Sequence, residues 1–588
     1  MPPIFTRIQT ALVASLGRFP ALLTSAFVWA GAAVWALHEK SVLTTAHFCQ
    51  RLTLAAAIGV PLCFSLRIFA ERTIPRIKHW PEWLALPLLV IYFRTLPVMG
   101  FDAPFAFILS WGLLLGGLHC LAAIAGFITS NEGGFWQFNR RIFQSFFTAA
   151  LYTGVLVAGL ELALLSADKL FNFKFDHAYP NLFFFITGCV HPLFFLRGVP
   201  RDFEALANDS EHPVGFKLFT QFALAPLVAV FTCILYVYGA KIALSRSWPH
   251  GWVALPVLLL SGVGILAFLL LHPLRGQKDE KWAYWFCRAF PKALAPLSIL
   301  LLFAIRERIH AYGVTEERYL GLVAGGCILV WALVTGFIKD AGIRWWPTFL
   351  GGICLVCAFG SWSAASVSVQ SQMQRVTVFL KKHGLLSEGV ISAPEKRLNL
   401  PQTEFNDFQS TVRYVAKRHG KTPLEGLFPK TFLQPTEDEK KQSPWILTEH
   451  IINHLKLSGN ADNSHAIEAF SLDTKVPFPI DGYKSGYPPC EIVSWSTAVN
   501  VGGVLIKLKE GVLSASPQQH GKFEKIPLES LFVSLPSANT EPLPFSSMSK
   551  DWEFDGQQYR IIFTKLQIVR IPDTPTEVKF CSLLLFVK

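Results

Sequence analysis

Charge is scarce in this chain of 588 residues: Asp, Glu, Lys and Arg make up 16% of it, against 52% hydrophobic residues and a mean hydropathy of +0.38. A soluble domain of average composition is about one quarter charged, so that class is excluded for most of the length. Also missing are the glycine-rich loop ending in Lys-Ser/Thr that cradles phosphates and the Gly-x-Ser-x-Gly turn that presents a nucleophilic serine. His450 and His454 stand four apart, a spacing that can bind zinc, but a zincin places Glu directly after the first histidine and here Ile451 stands there. No metal site and no cofactor is implied. Cysteine is thin beyond the apolar region: nine of the eleven precede residue 363, where a thiol packs as a small apolar group. Cys354 and Cys357 have redox-motif spacing, yet they lie inside an apolar run with no strand before it, which favours packing over redox chemistry.

What the chain has instead is apolar stretches about twenty residues long, from Phe19 to Trp362, separated by short loops carrying Arg, Lys, Pro and Gly. Trp252 to Leu271 and Tyr319 to Ile338 contain no Asp, Glu, Lys, Arg or His. A helix rises about 1.5 Å per residue and the hydrocarbon core is about 30 Å thick, so each such run is one crossing. Backbone groups in lipid must bond within their own segment, which makes the runs helices. The pattern predicts an α-helical polytopic domain over residues 1–362 with about eleven spans, near 19–37, 52–70, 81–98, 104–128, 142–165, 180–196, 218–240, 252–271, 291–305, 319–338 and 345–362.

The net charge of +12 then reads as membrane topology rather than nucleic-acid binding. With the N-terminus cytoplasmic, 18 of the Lys and Arg residues in 1–362 fall on the cytoplasmic side and 10 on the other. That asymmetry favours N-in, and an odd span number puts the C-terminal part outside the cytoplasm, in the periplasm of a bacterium. Arg7 and Arg18 before the first apolar run also fit a signal peptide; its removal would leave the later topology unchanged.

Residues 363–588 are long enough for a globular region of their own and predict an α+β domain, a helical part over 363–460 and a β-rich part over 461–588. Val369, Met373, Val376 and Leu380 recur at helical spacing before Gly384. A second helix is expected from about Thr403 to His419, stopped by Gly420, and a third from Ser443-Pro444 to near Gly459. The charged stretch Thr436 to Gln442 reads as a solvated loop. Segments 502–515, 523–535, 551–571 and 577–588 read as strands, with Lys507 and Lys509 alternating against Ile506 and Leu508. Cys490 and Cys581 are either a disulfide in an oxidising compartment or two buried thiols.

Ionisable groups within the spans are the candidates for function. Arg94 and Glu161 come out at similar outer depths, where they either pair or snorkel independently. His119 lies nearer mid-membrane, and His191 precedes Pro192 in the sixth span, where it either satisfies a carbonyl freed by the kink or lines a proton or substrate path. Asp176 and His177 make the loop between the fifth and sixth spans the richest in polar chemistry.

Three stretches carry a family likeness. They are Asn131-Glu132 with Phe135 to Arg141, running on to Gly159-Leu160-Glu161-Leu162 and Lys169-Leu170-Phe171; His191 to Pro200; and Ser366 to Ser368 with Ser371, Gln372 and Arg375. The chain resembles the bacterial multi-pass membrane proteins grouped as domain of unknown function 4153. The resemblance implies a bacterial inner-membrane protein of this architecture and brings no catalytic residue. Two readings of function stand: a non-enzymatic, transporter-like or envelope-associated component whose outer domain binds an envelope protein or polymer, and a membrane-embedded transferase acting on a lipid-linked substrate at the outer face. The lipid bilayer is the one partner both require. Short, sparsely charged outer loops favour the first.

Overall fold

The structure, a computed structural model, describes the chain except residues 1–12, 39–42, 74–79, 98–104, 129–131, 172–174, 176, 210, 246–253, 339–340, 388, 392–393, 395, 430–432, 434–443, 461–466, 473–482, 484, 494–497, 502, 510, 518–522, 536–542, 555, 570–575 and 588. Arg7, Asn131, Asp176, the 436–442 stretch and Ser443 lie outside the described residues. The chain divides into two compact units, Met1–Ala393 with Phe408–Leu455 and Pro394–Asp407 with Lys456–Lys588.

The first unit opens with α1 (Pro20–His38), α2 (Leu43–Thr73), α3 (Trp80–Trp83), α4 (Ala85–Thr95), α5 (Phe105–Ile124) and α6 (Glu132–Phe171). It continues with α7 (Ala178–Phe185), α8 (His191–Arg197), α9 (Phe203–Asn208), α10 (Val214–Phe219), α11 (Ala225–Ser245) and α12 (Ala254–Leu271). Then come α13 (Lys281–Tyr312), α14 (Glu316–Phe337), α15 (Trp345–Ala358) and α16 (Ala364–Lys382). Single π-helical turns, Ile186–Val190 and Thr220–Leu224, join α7 to α8 and α10 to α11. Among the described residues, 9 helices are long and apolar enough to cross a membrane. They are α1, α2, α5, α6, α7–α8, α10–α11, α12, α13 and α14.

The expected count was about eleven, and the difference lies in two stretches. Trp345–Ala358 is apolar but only 14 residues long. The third expected span is broken between Trp83 and Ala85. Pro87 explains the break, because its ring would meet the carbonyl of residue 83 in a continuous helix. The α3–α4 stretch nonetheless runs beside α2 from one end to the other. Arg67 meets Glu82 at 3.5 Å, and Arg51 donates to the Phe93 carbonyl at 2.6 Å. Those two arginines stand about 24 Å apart along α2 by the helical rise.

Phe19, Leu22, Phe64, Ile68, Phe138 and Trp331 belong to the buried apolar core of the helices. Val155, Leu162, Phe222 and Val237 are exposed large apolar side chains, the surface a bilayer covers. Polar contacts sort to the two helix ends. At one end Arg18 meets Glu71, Arg141 meets Asp209, and Glu132 accepts from the Ile343 amide. At the other, His38 meets Asn181, and Tyr319 donates to the Trp362 carbonyl.

After the last apolar helix, α16 ends at Lys382 and Gly384 takes φ +67°, as the spacing predicts. Short strands β1 (Leu386–Ser387) and β2 (Val390–Ile391) pair antiparallel. The next helix, α17 (Gln402–His419), is stopped by Gly420 at φ +74°. The helix starting at Pro444, α19 after the short α18 (Thr422–Glu425), ends at His454 rather than near Gly459. Its shorter length follows from strand pairing, since Leu457–Asn460 forms β4 and lies parallel to β3 (Leu398–Pro401).

The second unit is built on two further sheets. One has the order β10-β9-β8-β7, with β7 Val499–Val501, β8 Val504–Lys509, β9 Val512–Pro517 and β10 Glu524–Lys525. The other has the order β11-β12-β13-β6, with β5 also on β12. Its strands are β5 Ile467–Ser471, β6 Ser485–Val493, β11 Ser549–Phe554, β12 Gln557–Val569 and β13 Glu577–Val587. Ile506, Leu508, Ile561, Phe563 and Leu583 from both sheets share one core. In β8 the buried Val504, Ile506 and Leu508 alternate with less buried Leu505, Lys507 and Lys509, the period-2 pattern expected there. The segment 523–535, expected as a strand, contributes only Glu524–Lys525 before turning into the helix α20 (Glu529–Ser534). Pro527 removes a ladder donor between them, and Lys525 at the end of β10 pairs with Glu529 at the start of α20. Cys490 and Cys581 are free thiols. Cys581 faces Ile492 and Cys490 faces Leu583, so the two stand diagonally on one face of adjacent strands. Burial pushes the Cys581 thiol up to about 12.

Candidate functional site

Pro192 cannot donate to a carbonyl one turn back, and its ring crowds that carbonyl. The chain answers with the π turn at 186–190, whose wider spacing lets the His191 amide reach the Ile186 carbonyl. This irregularity sets the His191 ring against α6. Its Nδ1 lies 3.2 Å from Thr153 Oγ1, and Thr153 in turn donates to the Ala149 carbonyl at 2.8 Å. The ring of Phe146 stands edge-on to it at 5.5 Å.

His191 and His119 line the same cavity, of about 520 Å³, together with Pro61, Asn139, Phe146 and Pro192. His119 Nδ1 contacts the Leu115 carbonyl of its own helix at 2.8 Å. Asn139 donates to the carbonyls of Ala123 (3.0 Å) and Phe135 (2.9 Å), fixing the end of α5 against α6. Each imidazole thus spends Nδ1 on the protein. No carboxylate, Lys or Arg lines the cavity. Chemically it suits an apolar molecule that offers one or two hydrogen-bonding groups.

The other two candidates lie elsewhere. Arg94 is exposed at the end of α4, where its carbonyl accepts from Arg51. Glu161 is half-exposed on α6, and no ion pair joins the two. The reason is packing: α4 lies along α2, whereas α6 contacts α7, α8 and α9. The His450 and His454 rings lie 6.2 Å apart, with His454 bonded back to the His450 carbonyl. No cluster able to hold a metal ion occurs among the described residues.

Two polar networks escaped the sequence reading. Arg18 forks onto Glu71 (Nη2 to Oε2 2.8 Å) and donates to the carbonyls of Val199 (2.9 Å) and Pro200 (2.6 Å). Arg67 continues the alternation between Glu71 and Glu82. At the opposite end Glu316 is fully buried, with His419 Nε2 at 2.9 Å and the Tyr414 hydroxyl donating to its other oxygen. Burial, then the hydrogen bond to Glu316, hold the Tyr414 hydroxyl above its usual pKa, so it remains a donor. Ser368 contacts the same hydroxyl at 2.8 Å. Gln372 donates to the carbonyls of Tyr312 and Val314, and Ser371 accepts from the Val314 amide. The Ser-x-Ser…Ser-Gln stretch therefore latches α16 to the α13–α14 loop. Apart from Arg67 and Glu71, four apart on α2, these partners are distant in sequence, and neither spacing nor periodicity could have paired them.

A bundle of apolar helices followed by a strand-rich region defines a multi-pass α-helical membrane protein. The chain matches the family described as domain of unknown function (DUF4153) over residues 22–384, and it belongs to that family. It is also 27% identical over 311 residues to the uncharacterised protein PM1469 of Pasteurella multocida (strain Pm70), covering 51% of this chain. The match spans 50% of that relative's length. No solved structure matches the chain.

Proposed function

We propose that this is a non-enzymatic, transporter-like or envelope-associated component of the bacterial inner membrane. In this reading eleven segments cross the bilayer, the N-terminus is cytoplasmic, and the periplasmic C-terminal domain binds an envelope protein or polymer. The α3–α4 stretch beside α2 supports the third crossing, and the excess of basic residues at one set of loops supports the orientation.

One observation carries the reading: a cavity of about 520 Å³ at interrupted helices, lined by apolar groups, two imidazoles and an amide. Interrupted helices flanking an intramembrane cavity are the architecture transporters use for binding sites. A transferase needs acid, base and phosphate-holding groups around its substrate, and the lining supplies no carboxylate or guanidinium. The test places a photo-reactive side chain at Phe146 in membranes. A small-molecule adduct is expected there and should vanish when Ala123→Phe fills the space. Equal adduct yield from the filled variant defeats the reading. A reporter enzyme fused after Lys588 that is active only in the cytoplasm defeats the orientation.

A further inference from the structure

On the side of α6 facing away from that cavity, Arg140, Arg141, Gln144 and Thr148 line a second recess, of about 610 Å³, closed by Phe194 and Arg197 of α8. The close approach of the two helices depends on Gly198, where a Cβ would lie 2.2 Å from Ser145 Oγ. Ser145 donates to the Phe195 carbonyl at 2.7 Å and locks the contact. Arg197 is thereby brought to the same recess as Arg140 and Arg141.

These cations are under-used. Arg140 is 7% exposed at its side chain; its Nε donates to Gln137 at 2.7 Å, while its buried Nη2 has no hydrogen bond and sees Asp209 only at 3.6 Å. Arg141 donates to Asp209 at 3.1 Å. Arg197, Gln144 and Thr148 make no side-chain hydrogen bond among the described residues. Three guanidiniums and the Glu211 carboxylate line the recess, and Asp209 stands against Arg140 and Arg141, which leaves one positive charge in excess. The floor then changes character. Tyr152 and Phe194, 56% and 42% exposed, continue the recess along the lipid-facing surface. Arg141 to Tyr152 covers about 16 Å of helix, the distance from the headgroup layer well into hydrocarbon.

We infer that this recess holds the phosphodiester of an anionic glycerophospholipid, with Arg140, Arg141 and Arg197 on the phosphate and an acyl chain along Tyr152 and Phe194. The single excess charge matches a monoanionic phosphodiester, and free N–H donors in a fork suit its oxygens. Basic pockets between helices at the membrane face are where anionic headgroups are recognised.

The experiment uses the purified full chain in detergent, stripped of lipid and titrated with phosphatidylglycerol or phosphatidylcholine, with bound lipid counted by native mass spectrometry. Tighter retention of phosphatidylglycerol is expected. Arg197→Gln and Arg141→Gln should each weaken it about fivefold, Arg197→Lys should restore much of the loss, and Arg306→Gln at the opposite end should change nothing. Equal binding of both lipids overturns the assignment, as does unchanged retention of phosphatidylglycerol in both Arg197→Gln and Arg141→Gln. Displacement of phosphatidylglycerol by millimolar inorganic phosphate would assign the recess to a soluble anion and also overturn it.

Discussion

Arg18 lies before the first apolar helix, yet it joins three parts of the bundle. Its guanidinium bonds Glu71 of α2 through two nitrogens and the carbonyls of Val199 and Pro200 after α8. Arg18 and Glu71 are 11% and 14% exposed at their side chains, so Arg18→Ala strands a largely buried carboxylate and two carbonyls. Removing one partner of a buried pair costs about 3–5 kcal/mol. Arg67 still holds Glu71 at 3.0 Å, which lowers the expectation to about 2–3 kcal/mol. That is roughly a 30- to 150-fold rise in local opening. Cys63 reads the opening directly. It is 2% exposed on α2, with its sulfur 3.9 Å from Ser25 of α1, so separation of the two helices uncovers it. Maleimide labelling of Cys63, resolved by peptide mass, should accelerate by that factor in Arg18→Ala. Arg18→Lys keeps the charge and loses the fork, so its rise should be only severalfold. Wild-type labelling in Arg18→Ala would refute the reasoning.

Three further outcomes follow from other contacts. Tyr414→Phe removes the hydroxyl shared by Glu316 and Ser368 and should cost about 2–3 kcal/mol, read as an earlier thermal midpoint in detergent; an unchanged midpoint would show that Glu316 does not need it. Asp209 sits below its ordinary pKa: burial opposes the charge, but the Glu211 amide, Arg141 and Arg140 outweigh it. Its stabilisation is therefore complete above about pH 4 and is lost as pH falls through the lowered value, so Asp209→Asn should melt earlier than wild type at pH 7, by a margin that narrows as pH falls below about 4. Cys490 and Cys581, free and in diagonal register, should both react when the chain is unfolded without reductant, and a missing pair would contradict that register.

Much of the helical architecture was readable because a bilayer imposes length and composition on every crossing. Stops at Gly384 and Gly420 and the alternation in β8 were readable for a similar reason: each is written within a few consecutive residues. The strand expected at 523–535 failed where local apolar content outweighed the proline at 527. The site was half legible. His119 and His191 stood out as imidazoles inside apolar runs, but their convergence on one cavity depends on which face of α5 meets α6 and on the π turn before Pro192.

Periodicity and hydropathy by themselves determined that this is a multi-pass helical membrane protein with a mixed C-terminal region, because those properties are sums over neighbouring residues. Tertiary structure alone decided that Arg94 and Glu161 stay apart, that Arg18 reaches Val199 across 181 positions of sequence, and that Arg197 joins Arg140 and Arg141. Each of those outcomes turns on helix rotation and on small contact residues such as Gly198, which carry almost no signal in hydrophobicity.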